Sequence, residues 1–218
     1  MSAPAPLVVV GGGEHARVIV DCALSRPDRW AIVGYADHAE SAETSERFGI
    51  PWLGDDTTAI ARAPADAYFV LGVGGLGPSP RRREVVARLA AAAPSLRWAT
   101  VVHARAVVAD TASLGDGVVI FAGSVINTGA IVGAHAVVNT GALVEHDVSV
   151  GAFAFLGPGT VIGGGVAIGE GAFLGLGCRV RDHVTVGAGA LIGMGAVVVG
   201  DVPDGALAVG VPARVRLP

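Results

Sequence analysis

The most regular feature of the chain is an aliphatic residue at every sixth position of its second half. The series runs without a gap through seventeen positions, from residue 102 to residue 198. Four residues after each aliphatic, between positions 118 and 196, the residue is always Val, Ser, Ala, Thr or Cys. Three residues after it, ten of the fourteen positions from 117 to 195 are glycine. This period of six predicts a hexapeptide-repeat left-handed parallel β-helix.

A period of six fits a triangular coil in which three short strands make one turn of about 18 residues. An aliphatic side chain then points inward from each face, small residues fill the corners, and glycine adopts the corner torsions that other residues resist. Each coil pairs with the next through backbone hydrogen bonds and buries a continuous core. An α-helix would need a period of 3.6 residues and a sandwich would need irregular turns, so neither explains the series. The unbroken register also predicts that no long loop is inserted.

The first 97 or so residues follow a different pattern, in which strands and helices alternate. Strands are predicted at 7–10, 30–35 and 68–73, and helices at 15–24 and 81–92, the second of which ends before Pro94. Such alternation is typical of a parallel βαβ arrangement. We therefore expect a small Rossmann-like α/β domain at residues 1–97, followed by an all-β left-handed β-helix with a C-terminal tail at residues 98–218.

The composition bears on location and partners. Hydrophobic residues make up 52% of the 218 residues, but glycine or a polar residue interrupts every apolar run well before the roughly 18 residues of a membrane span. No basic residue precedes the apolar stretch at 7–10, which is also shorter than the apolar region of a signal peptide. We therefore expect a cytoplasmic protein without membrane insertion. A net charge of −4 offers no basic surface for nucleic acid.

Two residue types constrain the chemistry. All 15 basic residues are arginine, so a phosphate must be bound by arginine, histidine or backbone N–H groups. The two cysteines, Cys22 and Cys178, lie in apolar contexts 156 positions apart. This placement indicates two buried thiols rather than a disulfide, and neither thiol is a plausible nucleophile.

A glycine-rich loop follows the first predicted strand. Its sequence, Gly-Gly-Gly-Glu-His-Ala at 11–16, satisfies the Gly-x-Gly-x-x-Gly/Ala form of a dinucleotide fingerprint, and Asp37 follows the second strand. About three strands are too few for the full dinucleotide fold, so a mononucleotide site fits better. In such a site the glycines let the backbone approach a phosphate at the amino terminus of the next helix. A tight turn without a ligand is the alternative.

His146 interrupts the β-helix repeat most clearly. It stands at an outward position between Glu145 and Asp147, which could raise its basicity or fix its tautomer. Stacking by about 18 residues places residues 127–129 on the coil below and the glycines 163–165 on the coil above. The imidazole would then border a shelf for an acyl thioester, with backbone N–H groups for the developing oxyanion. A solvated surface histidine without a function is the alternative.

The other histidines are weaker candidates. His135 and His183 occupy corner positions where glycine is usual, which favours a structural role, and neither His38 nor His103 has an evident partner. His135 and His146 are eleven residues apart on different faces, so we expect no zinc site and no other metal.

Three segments together resemble the sugar O-acyltransferase family. They are the Asn-Thr-Gly-Ala-Leu-Val-Glu-His-Asp run at 139–147, the glycine loop at 11–17, and the closing Gly-Val-Pro-Ala-Arg at 210–214. That family includes bacterial sialic acid O-acetyltransferases and N-acetyltransferases of nucleotide-linked amino sugars. The resemblance covers essentially the whole chain in the same domain order. It implies a homotrimer that binds acetyl-coenzyme A between neighbouring β-helices and a nucleotide-sugar in the small domain.

The resemblance also implies roles for single residues. His146 corresponds to the general base and Asp147 to the carboxylate that assists it. The residues implied in substrate binding are Gly11, Gly13, His15, Asp37 and Asn139. The residues expected near acetyl-coenzyme A are Gly164, Phe155 and Arg214. Phe155 stands where many relatives have a second histidine, and His38 stands where relatives often have an acid.

The sequence therefore predicts direct acetyl transfer from acetyl-coenzyme A to the amine of a nucleotide-linked 4-amino-4,6-dideoxy sugar. No exposed Ser or Cys accompanies His146, so an acyl-enzyme is not expected. One alternative is O-acetylation of a sugar or sialic acid hydroxyl by the same base. The other is a non-catalytic, nucleotide-binding trimeric scaffold.

Overall fold

The structure is a computed structural model that describes residues 3–75, 77–78 and 80–216. The chain divides into two compact units, Met1–Gly75 with Pro80–Ala104 and Leu76–Ser79 with Arg105–Pro218. The domain limits expected from the sequence, 1–97 and 98–218, stay a prediction. Within the described residues, no helix has the length and apolar character needed to cross a lipid bilayer.

The first unit contains a four-stranded parallel sheet with helices between its strands. In chain order its elements are β1 (Ala5–Val10), α1 (Glu14–Leu24), β2 (Trp30–Ala36), α2 (Ala42–Phe48), α3 (Asp56–Arg62), β3 (Tyr68–Leu71), α4 (Arg81–Ala92), β4 (Arg97–Trp98) and β5 (Val101–Val102). The sheet order is β2-β1-β3-β4, with every pair parallel. The predicted small Rossmann-like α/β fold is confirmed. Since the chain passes from β1 to β2 on one side and then to β3 on the other, β1 and β3 flank the topological switch point.

The central strand carries the core of this unit. Residues 7–10 of β1 are at most 2% exposed, because a central strand of a parallel sheet is covered on both faces. Helix α1 buries Ala16, Ile19, Val20 and Ala23, a spacing that places one apolar stripe toward the sheet. This packing fixes the loop between β1 and α1, which contains the three glycines.

The sequence did not predict helices α2 and α3. Each has seven residues and begins after a capping residue, Ser41 or Asp55. The two capping side chains accept the N–H groups of Thr44 and Thr58. Seven residues make about two turns, which is too short for an apolar period to be recognised in the sequence.

The second unit is the predicted left-handed parallel β-helix, and it has three faces of stacked short strands. Face 1 consists of β6 (Val107–Val108), β9 (Val125–Ile126), β12 (Leu143–Val144), β15 (Val161–Ile162), β18 (Arg179–Val180) and β21 (Val197–Val198). Face 2 consists of β7 (Ser113–Leu114), β10 (Ile131–Val132), β13 (Ser149–Val150), β16 (Ala167–Ile168) and β19 (Thr185–Val186). Face 3 contains β8 (Val119–Ile120), β11 (Val137–Val138), β14 (Phe155–Leu156), β17 (Phe173–Leu174), β20 (Leu191–Ile192) and β22 (Leu207–Val209), with β23 (Arg214–Arg216) antiparallel to β22.

The aliphatic series forms the core of the β-helix. Every sixth residue from Ile120 to Val198 is at most 4% exposed. The coils stack with an offset of 18 residues, so that Val144 pairs with Ile126 below and with Ile162 above. The register predicted from the sequence is therefore the one observed, and it fixes which corner residues lie above one another.

The corners between the faces contain the four non-glycine residues with positive φ among the described residues. His135, Asp147, Phe153 and His183 have φ values of 57 to 59°, and each lies where the repeat otherwise has glycine. A side chain in this left-handed conformation costs roughly 1–2 kcal/mol. His135 and Phe153 stack on each other, with ring centroids 5.0 Å apart. Asp147 and His183 lie at the corner between face 1 and face 2.

Candidate active site

The corner between face 1 and face 2, called corner 1–2 below, positions the candidate catalytic residues. Four of its stacked triplets are 127–129, 145–147, 163–165 and 181–183, in order from the lower to the upper coil. Backbone hydrogen bonds link the coils: the Asp147 N–H donates to Thr128 O, and the Gly165 N–H donates to His146 O. The neighbours predicted for His146 are therefore in place.

His146 and Asp147 form a hydrogen-bonded pair at corner 1–2. His146 Nδ1 lies 2.9 Å from Asp147 Oδ2, and both side chains are exposed. The hydrogen bond to Asp147, together with the negative charges of Asp147, Glu145 and Asp182, raises the pKa of His146 above its usual value. When the neutral ring donates its Nδ1–H to Asp147, the lone pair is on Nε2. Nε2 is therefore the nitrogen suited to accept a proton.

Two glycines on neighbouring coils leave space for this pair. A Cβ atom on Gly164 would lie 2.5 Å from His146 Nε2, and one on Gly129 would lie 2.5 Å from Asp147 Oδ1. Contacts this short do not occur in real structures, so the observed orientation requires small residues above and below. The predicted placement of His146 among small neighbours is confirmed.

The backbone N–H groups of the glycine triplet 163–165 are all engaged. In order along the chain, their acceptors are Val180 O, Asp182 Oδ1 and His146 O. Coil stacking uses two of these groups, and the Asp182 carboxylate accepts the Gly164 N–H at 3.0 Å. The expectation that this shelf offers available N–H groups to an oxyanion is therefore not met in this structure.

Glu145 interacts with the coil below rather than with the imidazole. Asn127 Nδ2 donates to Glu145 Oε2 at 3.0 Å. Of the two acids that flank His146, Asp147 makes the direct contact, and Glu145 acts on the ring through its charge.

Three predicted site residues lie elsewhere on the β-helix. Asn139 lies at the corner between face 3 and face 1, where its Oδ1 accepts the Thr140 N–H at 2.8 Å. Phe155 belongs to face 3, opposite corner 1–2, and its ring stacks on Phe173 with centroids 5.0 Å apart. Arg214 is exposed in β23. A single chain does not bring these residues to His146, so their roles stay predictions that depend on a neighbouring copy.

In the first unit, the glycine loop connects β1 to α1. Gly11 has a φ of 119°, and a Cβ atom there would lie 3.1 Å from Gly72 O, so this position requires glycine. Gly13 precedes α1 as its N-cap and has open space around it. The loop therefore leaves room for a ligand beside the amino terminus of α1, where N–H groups attract negative charge.

Asp37 joins the glycine loop to the end of β2. Its Oδ2 accepts the Gly12 N–H and its Oδ1 accepts the His38 N–H, both at 2.7 Å. A carboxylate at this N–H repels a phosphate but can accept hydrogen bonds from hydroxyl or N–H groups. The geometry therefore suits a ribose or base contact at Asp37 better than a phosphate at Gly12.

His15 lies in the first turn of α1 and directs its ring inward. Its Nε2 is buried, and a Cβ atom on Gly74 would lie 2.8 Å from His15 Cβ. Burial, with a smaller contribution from the charge of Arg82, lowers the pKa of His15 to about 4. At neutral pH this imidazole is uncharged, so it can form a hydrogen bond to a ligand but not an ion pair with a phosphate.

A cavity of about 310 Å³ opens at the carboxyl ends of β1, β2 and β3. This is the switch point, where open parallel sheets bind their ligands, and the volume is at the lower end of the range for small-molecule sites. Arg88 Nε donates to Asp56 Oδ2 at 2.9 Å within it. Its charged and polar lining comprises Asp37, His38, Asp56, Arg81, Glu84 and Arg88.

Asp182 and His183 lie next to the candidate site although the sequence did not single them out for it. Both approach the glycine triplet from the coil above. A Cβ atom on Gly165 would lie 2.5 Å from His183 Nδ1. The stacking period puts the two residues at the right corner, but the position of His183, where the repeat usually has glycine, suggested only a structural role for it.

The cysteines are both buried and no disulfide joins them, as predicted. Burial raises the pKa of each thiol to about 12, which makes both poor nucleophiles. In the ranges 3–75, 77–78 and 80–216, no three His, Cys, Asp or Glu side chains are grouped so as to hold a metal ion.

Comparisons with known proteins agree with this architecture. Residues 6–89 match the PglD N-terminal domain. A search of curated protein sequences found no match. The chain is 33% identical to a histidine-to-alanine variant of GDP-perosamine N-acetyltransferase from Caulobacter crescentus, over 98% of each chain, with a TM-score of 0.85; that structure contains CoA and GDP-perosamine.

Two further structures are similar over nearly their whole length. The acetyltransferase domain of PglB from Neisseria gonorrhoeae, in complex with acetyl-coenzyme A, is 29% identical over 98% of this chain and 100% of that chain, with a TM-score of 0.87. WeeI from Acinetobacter baumannii is 22% identical over 97% and 100% of the two chains, with a TM-score of 0.77, and supports the fold alone. Because one relative is a third identical over almost the full length of both chains, the protein belongs to the sugar acyltransferase family of left-handed β-helix hexapeptide transferases.

Proposed function

We propose that this protein transfers an acetyl group from acetyl-coenzyme A to the amine of a nucleotide-linked amino sugar of the 4-amino-4,6-dideoxy type. The observation that carries the proposal is the His146–Asp147 pair, which presents an accessible Nε2 beside Gly164. The similar enzyme from Caulobacter crescentus, with bound CoA and GDP-perosamine, supports the choice of both substrates.

His146 acts as the general base in this proposal. The neutral amine attacks the thioester carbonyl, a C–N bond forms, and Nε2 takes the proton that the nitrogen loses. The tetrahedral intermediate then collapses with cleavage of the C–S bond, and the proton passes to the coenzyme A thiolate. Asp147 holds the Nδ1–H and stabilises the imidazolium between the two steps. The products are the acetamide and free coenzyme A.

The charges around His146 favour an amine over a hydroxyl as the acceptor. Glu145, Asp147 and Asp182 surround an exposed imidazole, and each raises the pKa of His146 through its negative charge. An alkyl amine is largely an ammonium ion at neutral pH, and an acidic surface attracts it. It releases this proton to solvent before the neutral amine attacks. A sugar hydroxyl has no charge and gains nothing from this surface. The electrostatics therefore support N-acetylation.

In the first unit, we assign the nucleotide to the cavity at the switch point. Gly11 and Asp37 line this cavity, and Gly13 has open space around it at the amino terminus of α1. Asp37 accepts hydrogen bonds from the ribose or the base. His15, neutral at physiological pH, contributes hydrogen bonding rather than charge.

The acetyl thioester of the donor lies beside Gly164 in this reaction, between neighbouring copies of a homotrimer. Three residues expected at the active site lie on other parts of the β-helix, namely Phe155, Asn139 and Arg214. They can contribute to the site beside His146 only where two copies meet. Arg214 is a cation available for a coenzyme A phosphate in a chain that contains no lysine.

The test is free thiol release from acetyl-coenzyme A with a panel of nucleotide-linked amino sugars and a matched panel of their hydroxyl counterparts. We expect turnover with an amine, and His146→Ala should lower kcat by roughly 100 to 10,000 fold. The inward Val144 and Val150 are untouched, so the midpoint temperature of thermal unfolding should not change. The variant should also still bind both substrates. Turnover with hydroxyl acceptors alone would establish O-acetylation instead, and nucleotide-sugar binding without any thiol release would indicate a scaffold.

A further inference from the structure

One wall of the switch-point cavity is formed by two charged side chains of α4, Glu84 and Arg88. The two residues are four positions apart, so they lie on the same side of the helix, with Cβ atoms about 5–6 Å from each other. This wall therefore presents a carboxylate and a guanidinium side by side to the occupant of the cavity.

Asp56, the first residue of α3, holds the guanidinium of Arg88 in place. Arg88 Nε donates to Asp56 Oδ2 at 2.9 Å, and Arg88 Nη2 donates to the same oxygen. A guanidinium carries five N–H groups, and those that remain have no acceptor in the part of the chain that the structure describes. Arg88 is therefore both fixed in position and able to donate to a ligand.

The carboxylate of Glu84 is not used by Arg88. A glutamate four residues before an arginine can pair with it on the surface of a helix. Here Arg88 turns to Asp56 instead, and within residues 3–75, 77–78 and 80–216 the Glu84 side chain has no hydrogen bond or ion pair. Both of its oxygens are therefore available as acceptors at the cavity wall.

The remaining lining of the cavity suits a flat ring. Val10, Val73 and Val85 contribute apolar surface to it, and ligand sites of this kind combine apolar walls with a few placed polar groups. A planar base packed on such surface turns its polar edge to the polar wall. The order of donors and acceptors on α4 therefore selects among the nucleobases.

Guanine is the base whose edge matches this order. It presents the acceptor O6 beside two adjacent donors, N1–H and N2–H2, which suits a guanidinium beside a carboxylate. Uracil and thymine have a single N3–H between two carbonyl oxygens, so one carboxylate oxygen would face a carbonyl oxygen. Adenine and cytosine would turn an amino group to the guanidinium and a ring-nitrogen lone pair to the carboxylate. Both of these contacts are repulsive.

We propose that the nucleotide bound in this cavity carries guanine, with Arg88 donating to O6 and Glu84 accepting from N1–H and N2–H2. This assignment rests on the nucleotide site of the proposed function. Glu84 and Arg88 are then specificity-determining residues, and Asp56 is a positioning residue that acts through Arg88. The acceptor of the proposed acetyl transfer is accordingly a guanosine-nucleotide-linked amino sugar.

The test measures the Kd of the whole chain for several nucleotides by titration calorimetry. IDP differs from GDP only in lacking the N2 amino group. We expect wild type to bind IDP roughly 10 fold more weakly than GDP, and UDP, dTDP and ADP roughly 10 to 100 fold more weakly.

Glu84→Gln tests the carboxylate directly. Glutamine keeps the size of the side chain but has only one acceptor oxygen, so the affinity for GDP should fall and the difference between GDP and IDP should largely disappear. Because Glu84 is exposed, the midpoint of thermal unfolding should not change. The control Glu46→Gln makes the same change in charge at an exposed position of α2 that does not line the cavity, and it should keep the wild-type ratio.

UDP or dTDP bound as tightly as GDP would reject the guanine assignment. An unchanged ratio of GDP to IDP affinity in Glu84→Gln would reject the contact to Glu84. A protein that binds none of these nucleotides would reject the nucleotide site of the proposed function, and the guanine assignment with it. Selective binding of GDP without thiol release with any acceptor would reject the proposed acetyl transfer alone and would support the guanine site.

Discussion

The side chain of Asp147 has two tasks that a glycine at the same corner could not perform. Its Oδ2 accepts the hydrogen bond from His146 Nδ1, and its charge raises the pKa of the imidazole. Its backbone adopts the left-handed conformation with a φ of 58°, which Asp and Asn tolerate better than most residues. The proposed base and its orienting group are therefore adjacent in sequence and are placed by one turn.

Replacing Asp147 with Asn should separate charge from geometry. Asn tolerates the corner conformation but has no negative charge, so the pKa of His146 should fall toward its ordinary value. Only the neutral imidazole acts as a base, so the rising limb of kcat/KM against pH should move to lower pH. The plateau rate should drop because the base is weaker. NMR titration of the His146 ring would measure the shift directly.

Asp116→Asn is the matched control for this substitution. Asp116 is exposed at another corner of the same β-helix, and its replacement changes the net charge by the same amount. The His146 titration should be unaltered in that variant. An Asp147→Asn protein whose limb stays in place would mean that the observed hydrogen bond does not set the basicity of His146.

The sequence pointed to His146 as the candidate base but did not reveal all of its surroundings. His146 and Asp147 were recognisable because they interrupt a glycine-rich repeat, and their small neighbours followed from the stacking period. The direction of a side chain does not follow from the period. That Asp182 takes the Gly164 N–H, or that Glu145 bonds to Asn127 rather than to His146, depends on rotamers that only coordinates reveal.

The coil is the element that brings these residues together, because it converts a distance of 18 residues along the chain into direct contact. Face 1 and face 2 each contribute one short strand per coil, and the turn between them forms one triplet of corner 1–2. The β-helix was predictable in register because an aliphatic residue occurs at every sixth position and each one is needed for the core. Helices α2 and α3 were not, since their capping residues are present but their apolar faces are too short.

Gly164→Ala tests how closely the coils are fitted around the base. The glycine does not have a positive φ, so alanine fits the backbone, but its methyl group would lie 2.5 Å from His146 Nε2. The exposed imidazole would have to swing away from its position. A misplacement of about 1 Å can cost roughly 100-fold in rate, so we expect a loss of that order in kcat with unchanged thermal stability.

Gly200→Ala serves as the control for this methyl group. Gly200 is exposed in the same β-helix with open space around its Cα, so the variant should match wild type in kcat. If Gly164→Ala also kept its rate, His146 would not act from the orientation seen here.

At the scale of the molecule, face 1 presents more aliphatic side chains outward than face 2, the other face that adjoins corner 1–2. The outward residues of face 1 are Val107, Val125, Leu143, Val161, Arg179 and Val197, and those of face 2 are Ser113, Ile131, Ser149, Ala167 and Thr185. Val107 is 61% exposed and Leu143 is 37% exposed. Stacked aliphatic side chains on a surface mark sites of association. Face 1 also ends at corner 1–2, so a copy seated on it would lie beside His146.

We therefore expect a homotrimer in which face 1 packs against a neighbouring copy, and Leu143→Arg should disrupt it. The arginine would place a charge in the middle of the aliphatic column, where burial without a partner is costly. Light scattering should show wild type at three times the chain mass of 21.7 kDa and the variant at the mass of one chain. Ser149→Arg adds the same side chain to face 2 and should remain trimeric.

Loss of the trimer should also change ligand binding. Because Phe155, Asn139 and Arg214 lie away from His146 within one chain, the monomeric variant should lose acetyl-coenzyme A binding while its first unit still binds nucleotide-sugar. A Leu143→Arg protein that stays trimeric would place the interface on another face, and a wild-type monomer at micromolar concentration would exclude a site shared between copies.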